Sequence, residues 1–350
     1  SESEPKSAGN AFFHVIPVPC EKTVSYGKGT ANGPSAILNA SNQLESFDGY
    51  SNPSELGIYT SEAVECKGSI EKILDNVENA VSKTLALKKF PIVIGGEHSI
   101  SIGTIKALMK YENKFGIVHF DAHADLKANY EGSPFSHACA MRHAVDAGIP
   151  VFQIGIRSMT EEENKFRKQK KMEYINADKI DSINYKKPIL PKAFPKKIFF
   201  SIDVDGFDPC VFPATGTPEP GGFSWREFFK MAENILQGRK LIGFDLVELA
   251  PIENLHYPEF SAACLPPSAD RAGGRSSRRD RQGAVGPGRE LRRSDAGRLQ
   301  SDSVLFQLSL LHRVSGQAVR LRHRSASGAA AGDDGGPGAS APGGRRPVYR

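Results

Sequence analysis

Gly116-Ile-Val-His-Phe-Asp-Ala-His-Ala-Asp125 begins as an apolar run and breaks off into metal-competent side chains. Asp121, His123 and Asp125 occupy alternate positions. Successive residues of extended chain face opposite sides, so this spacing predicts two carboxylates and an imidazole pointing the same way at one rim of a sheet. Taken alone, the segment reads equally well as a strand followed by solvated acids. Two further segments tip the balance. Ile198-Phe-Phe-Ser-Ile-Asp203-Val-Asp205 repeats the pattern of apolar strand and acids at i and i+2, and Phe90-Pro-Ile-Val-Ile-Gly-Gly-Glu-His98 delivers a histidine in the same manner. In open α/β folds ligands bind at that carboxyl rim.

Around these strands the chain alternates strand-like and helix-like segments. Strands are expected at 11–18, 56–60, 151–156, near Tyr174 and at 241–247, with helices at 35–40, 69–87, 100–110, 135–147, 160–171 and 224–236. The helix at 69–87 is the clearest, since Ile70, Ile73, Leu74, Val77, Val81 and Leu85 recur at mostly three- and four-residue steps. Alternation of this kind implies parallel pairing through crossover helices.

Composition changes abruptly at Pro266. From there to the end Lys, Ile, Asn, Thr, Met and Cys are absent, and 16 Arg stand against 7 acidic residues. The whole-chain charge of +5 therefore divides into about +9 for this tail and about −4 for residues 1–265. The basicity says nothing about partners of the folded part. We expect a catalytic domain over 1–265 and a tail over 266–350 that is mostly disordered, because Gly/Arg/Ser/Ala-rich chain buries too little apolar surface to offset its ordering entropy. Residues 303–311 alone have enough apolar density to dock weakly. The five cysteines are scattered without a Cys-x-x-Cys pair, which argues against a disulfide framework or structural zinc and for reduced, mostly buried thiols. The polar N-terminus and the lack of any stretch near ~18 apolar residues lead us to expect a soluble cytoplasmic protein without a membrane span.

Asp121, Asp125, Asp203 and Asp205 at one rim would repel one another and destabilise the fold unless cations cancelled their charge. Two divalent ions do so. Four carboxylates with His98 and His123 form an oxygen-rich set that suits Mn²⁺ better than zinc. His119, inside the strand, reads as a core histidine. Nucleotide binding has no support, as residues 1–265 lack a glycine-rich phosphate loop.

These residues carry a resemblance to the ureohydrolase (arginase/agmatinase) superfamily, nearest to its agmatinase branch, over about residues 11–265. The matching segments include Gly95-Gly-Glu-His-Ser99, Phe120-Asp-Ala-His-Ala-Asp-Leu126, Ser201-Ile-Asp-Val-Asp205, Ala214-Thr-Gly-Thr-Pro-Glu-Pro-Gly-Gly222 and Asp245-Leu-Val-Glu-Leu-Ala-Pro251. The resemblance implies a three-layer α/β/α sandwich around a mainly parallel eight-stranded sheet, and a pair of manganese ions. One ion would be held by His98, Asp121, Asp125 and Asp203, the other by Asp121, His123, Asp203 and Asp205, with Asp121 and Asp203 bridging. Two such cations lower the pKa of a bridging water, whose hydroxide can attack a guanidinium carbon and release urea and an amine. Asp125 belongs with the catalytic set as well as the ligands. By the same resemblance His137 would protonate the leaving amine and Glu248 would grip the guanidinium, while Asp245 and Arg157 are expected to be structural, Arg157 through an ion pair. The expected substrate is a small guanidino compound. Agmatine leads, guanidinobutyrate or another ω-guanidino compound is the alternative, and Glu131-Gly-Ser-Pro-Phe-Ser-His137 replaces the segment with which arginases hold arginine. The resemblance further implies a homo-oligomer.

It fails after Cys264, where Leu265-Pro266-Pro267 replaces the family's final amphipathic helix. That departure supports a second hypothesis: an inactive or unstable paralogue whose basic tail binds nucleic acid or acidic partners nonspecifically.

Overall fold

The computed structural model describes residues 7–45 and 53–265. The expectations for the 266–350 tail, including its disorder, docking at 303–311 and the interruption of the final helix, lie outside the described residues.

In chain order the elements are β1 (Phe13–Val18), α1 (Gly33–Ser41), β2 (Ile58–Thr60), α2 (Ile70–Ala86), β3 (Phe90–Gly95), α3 (Ile100–Tyr111), β4 (Gly116–Phe120), α4 (Ala140–Asp146), β5 (Val151–Ile154), α5 (Glu161–Gln169), β6 (Glu173–Ile175), β7 (Lys197–Asp203), α6 (Trp225–Leu236), β8 (Lys240–Val247) and α7 (Tyr257–Ala263). The strands form one eight-stranded sheet in the order β2-β1-β3-β8-β7-β4-β5-β6. Every pairing between them is parallel, so the expected sheet is wholly rather than mainly parallel. The helix expected from Phe135 starts later, at Ala140, after a short 3₁₀ turn at His137–Cys139.

Alternate strand residues feed two cores, which makes the sandwich. Val118, Phe120, Phe200, Ile202, Ile92 and Ile94 pack with Ile37 of α1, Phe228, Met231 and Ile235 of α6, and Ala262 of α7. On the other face Ile117 and Phe199 meet Ile102 and Ile105 of α3 and Met141 of α4, while Val93 and Ile16 meet Ile73, Val77 and Val81 of α2. Each large apolar side chain buried in this way contributes roughly 1.5–3 kcal/mol. α2 and α3 approach closely because Gly103 has no side chain; a Cβ there would lie 2.5 Å from the Leu74 carbonyl oxygen. Ser69 caps α2 by accepting from Lys72 N, and Thr160–Glu163 and Ser224–Glu227 form capping boxes on α5 and α6.

The chain crosses from β3 to β4 over two strand positions that β8 and β7 later fill. The four adjacent central strands thus end at one rim, and all the candidate ligands follow or close them.

Candidate metal centre

β3 leads to His98, β4 to Asp121, His123 and Asp125, β7 to Asp203 and Asp205, and β8 to Glu248. The simple alternation expected of residues 121–125 does not hold. β4 ends at Phe120, and Asp125 has a left-handed backbone with φ 51°. Its carboxylate is therefore aimed by a turn, whose carbonyl is held by Met141 N and Arg142 N at 3.1 and 3.0 Å. Glu163 secures the next residue: its Oε1 accepts from Leu126 N at 3.0 Å while Oε2 closes the capping box.

His98 is the pivot of the first cluster. Its Nδ1 lies 3.1 Å from Asp121 Oδ2, 3.1 Å from Asp125 Oδ2 and 3.3 Å from Asp203 Oδ2. Although buried, this nitrogen makes no hydrogen bond among the described residues. On the other side of the ring Nε2 is 3.0 Å from Ser201 Oγ, and that hydroxyl gives its own proton to Asp245 Oδ1 at 2.7 Å. Ser201 can then only accept from His98, which places one ring proton on Nε2; burial opposes a second, but Asp121, Asp125 and Asp203 raise His98 well above its ordinary value, so Nδ1 carries either a proton or a cation. A lone pair facing three carboxylate oxygens is repulsive without a cation between them. The donor set fits a divalent metal. Asp245 is buried and accepts also from Ser101 Oγ at 2.7 Å, so both its oxygens are engaged by serine hydroxyls.

A second group shares Asp121 and adds His123 and Asp205. His123 Nδ1 is 2.9 Å from Asp205 Oδ2 and 3.7 Å from Asp121 Oδ1. Asp205 Oδ1 accepts from Ala122 N, and Asp203 Oδ1 from Asp205 N, so the backbone orients both acids. The electrostatics report crowding. Burial, with Asp205 and Asp121 alongside, pushes Asp203 well above the usual carboxylate range, and burial with Asp121 raises Asp205. Burial disfavours a charged His123, yet Asp121 and Asp205 outweigh it and raise the imidazole to about 12. Asp121 is the exception: burial opposes its charge, but His119, His123 and His98 hold it well below normal.

His119 lies close enough to join the first cluster. Both its nitrogens are otherwise engaged, Nε2 with Asp121 Oδ2 at 2.7 Å and Nδ1 with Gln153 Nε2 at 3.1 Å. It braces a ligand.

The two clusters open into a cavity of about 310 Å³ lined also by Glu248, His137, Lys127 and Tyr130. Glu248, left-handed at φ 64°, accepts from His98 N through Oε1 at 2.7 Å. Burial and the neighbouring Glu97 raise it well above the usual range. His137 stands edge-on to Tyr130, with ring centroids 5.6 Å apart.

A profile of the arginase family matches residues 11–262. The chain belongs to the arginase family. Among its relatives, the N(1)-aminopropylagmatine ureohydrolase of Synechocystis sp. is 36% identical over 269 residues, covering 74% of this chain and 88% of the relative. The agmatinase of Bacillus subtilis is 35% identical over 241 residues, covering 67% and 82%. The crystal structure of agmatine ureohydrolase of Thermoplasma volcanium superposes with a TM-score of 0.66 at 30% identity, over 73% of this chain and 88% of that one.

For an arginase-family hydrolase the arrangement brings together all six ligands named from the sequence, with His137 and Glu248 on the same cavity. Arg157 departs from expectation. Among the described residues its guanidinium makes no carboxylate pair; it donates to the carbonyls of Gly155, Asp205, Gly206, Phe207, Glu219 and Pro220 at 2.7–3.2 Å. Sequence reasoning also gave no role to Ser201, Gln153, Thr23 or Glu97. Glu97 sits inside the quoted Gly-Gly-Glu-His segment, and its place next to His98 was the signal that could have found it. Among the described residues no helix is long and apolar enough to cross a membrane. The cysteines are unpaired, with Cys20 and Cys139 buried and Cys210 exposed.

Proposed function

We propose that this chain hydrolyses the guanidinium group of a linear guanidino compound, agmatine foremost, to urea and an amine at a dimanganese centre. The observation that carries the reading is His98 Nδ1, set among three carboxylate oxygens at 3.1–3.3 Å on a cavity shared with Glu248 and His137. His98, Asp121, Asp125 and Asp203 would hold one ion, and Asp121, His123, Asp203 and Asp205 the other. Four carboxylates and two imidazoles favour Mn²⁺, and no thiol joins either cluster among the described residues. Two bound divalent cations supply charge neutralisation and an activated water.

The residues supply the rest. Glu248 keeps Oε2 and a second lone pair on Oε1 for guanidinium N–H groups, holding the planar carbon toward the ligand cluster. As the C–N bond to the chain-bearing nitrogen breaks, His137 delivers a proton to the departing amine. Asp125 belongs to this set through its carboxylate beside His98 Nδ1.

Agmatine is favoured because residues 131–137 lack the polar segment with which arginases hold an amino-acid head, and because relatives are named for agmatine and aminopropylagmatine. The assembly is proposed to be a homo-oligomer. Purified full-length protein is assayed for bound manganese and for urea release from agmatine, aminopropylagmatine, guanidinobutyrate and arginine. Urea from agmatine with two Mn²⁺ per chain is expected; a fully loaded protein that releases none from any of the four would overturn the reading.

A further inference from the structure

Glu97 is fully buried next to the ligand His98, yet it faces away from the metal cluster. Its carboxylate is saturated by four donors. Oε2 accepts from Lys22 N at 2.5 Å and Thr23 N at 2.6 Å, and Oε1 from Thr23 Oγ1 at 2.9 Å and Ser99 Oγ at 2.5 Å. The close approach is enforced by Gly96, where a Cβ would lie 2.0 Å from the Cys20 carbonyl oxygen. Glu97 N in turn donates to that same carbonyl. The segment after β1 is thereby pinned to the segment after β3.

Thr23 has one hydroxyl proton, and Glu97 takes it. The Thr23 oxygen can then only accept, and two groups of His137 approach it: the backbone N–H at 3.0 Å and Nδ1 at 3.2 Å. A bare Nδ1 would set its lone pair against those of the Thr23 oxygen in a half-buried site. We infer that Glu97, acting through Thr23, fixes neutral His137 as the Nδ1–H tautomer, so that Nε2 is the nitrogen that gains a proton at the cavity and then hands it to the departing amine. Ser136 Oγ, also 3.2 Å from Nδ1, can either donate or accept there, so the Thr23 oxygen, which can only accept, sets the ring's choice. Among the described residues no hydrogen bond uses Nε2. Thr23 and Glu97 are positioning residues: they hold the imidazole by ring and backbone together, with the lone pair directed where a substrate would lie.

The inference rests on the proposed role of His137 for its catalytic consequence, but the tautomer can be read without turnover. In metal-free full-length protein labelled with ¹⁵N-histidine, His137 is assigned by loss of its signals in His137→Asn. The native chain is expected to show a protonated Nδ1. Thr23→Val keeps the shape and removes the hydroxyl, whereas Thr23→Ser restores it. Glu97→Gln places an amide NH₂ against Thr23 Oγ1 and forces the hydroxyl proton elsewhere, so both Thr23→Val and Glu97→Gln are expected to move the His137 proton to Nε2. In the manganese-loaded enzyme, Thr23→Val lowers kcat by about 10- to 100-fold, within the range a positioned general acid contributes, with KM and metal content near native and activity recovered in Thr23→Ser. A native Nε2–H tautomer, or one unchanged in both variants, overturns the inference. A moved tautomer with unchanged kcat sinks instead the catalytic role given to His137.

Discussion

Ser201 lies 3.0 Å from His98 Nε2 and accepts its proton, while the opposite ring nitrogen faces Asp121, Asp125 and Asp203. The serine is on β7 and the histidine just after β3, with β8 between them carrying Asp245, the acceptor of the serine's own proton. One neutral hydroxyl in the middle of the sheet thus orients a proposed metal ligand at its rim.

Ser201→Ala removes the acceptor from His98 Nε2–H and one donor from buried Asp245. The fold is expected to survive, but affinity for the metal at the His98 side should fall by about 10–100-fold, the usual effect of losing such a partner. Titration calorimetry with Mn²⁺ measures it. An unchanged dissociation constant would show that Ser201 does not orient the ligand.

Chelating the metal leaves the crowded carboxylates uncompensated, so the melting temperature is expected to drop. Asp203, raised by burial and by Asp205 and Asp121, contributes most clearly to that tension. Asp203→Asn should therefore raise the melting temperature of the metal-free protein while abolishing tight binding of the ion pair. Scanning calorimetry of both proteins with and without chelator decides; a metal-free variant that melts below the metal-free native chain contradicts the account.

His14 on β1 is buried and neutral, with Nε2–H donating to Ala8 O at 2.9 Å and Nδ1 3.2 Å from Thr84 Oγ1. Burial lowers its pKa below the usual 6.5, aided by Lys89 and opposed by the Ala8 bond. A histidine lowered in the fold takes up its proton more readily when unfolded. Its contribution is complete above about 6.5 and is lost as the pH falls through that value toward the folded pKa. His14→Gln is expected to be less stable than the native chain at pH 7.5 and to lose less stability on going to pH 5.5. Urea denaturation at the two pH values tests this, and parallel losses would rule it out.

Deleting residues 266–350 should leave metal stoichiometry unchanged. The last proposed ligand is Asp205, Glu248 lines the cavity, and β8 ends at Val247. Metal analysis of the truncated protein is the check; loss of either ion would assign the segment a part in the centre.

The convergence of the proposed ligand residues was legible because each follows an apolar run that reads as a strand ending at one rim. The paths by which they converge were less so. Asp125 reaches His98 through a left-handed turn that no glycine announces. Thr23 and Glu97 are 74 positions apart, and Ser201 and Asp245 are 44 apart. Such contacts depend on strand order, which the sequence does not spell out. Arg157 was misread for a related reason: an arginine suggests a carboxylate partner, but the neighbouring acids face the metal side, and what remained within its reach was backbone oxygen.

Six carbonyls on one guanidinium tie the turn after β5 to residues 205–207 and to the Glu219–Pro220 loop. These three segments can loosen only together, since freeing one leaves donors of a half-buried cation unsatisfied. That wall of the cavity should behave as a single cooperative unit in amide exchange, its protected amides sharing one opening free energy. Exchange outside that unit is expected first around Tyr130 on the opposite side of the cavity, where no side chain ties several segments together in this way among the described residues.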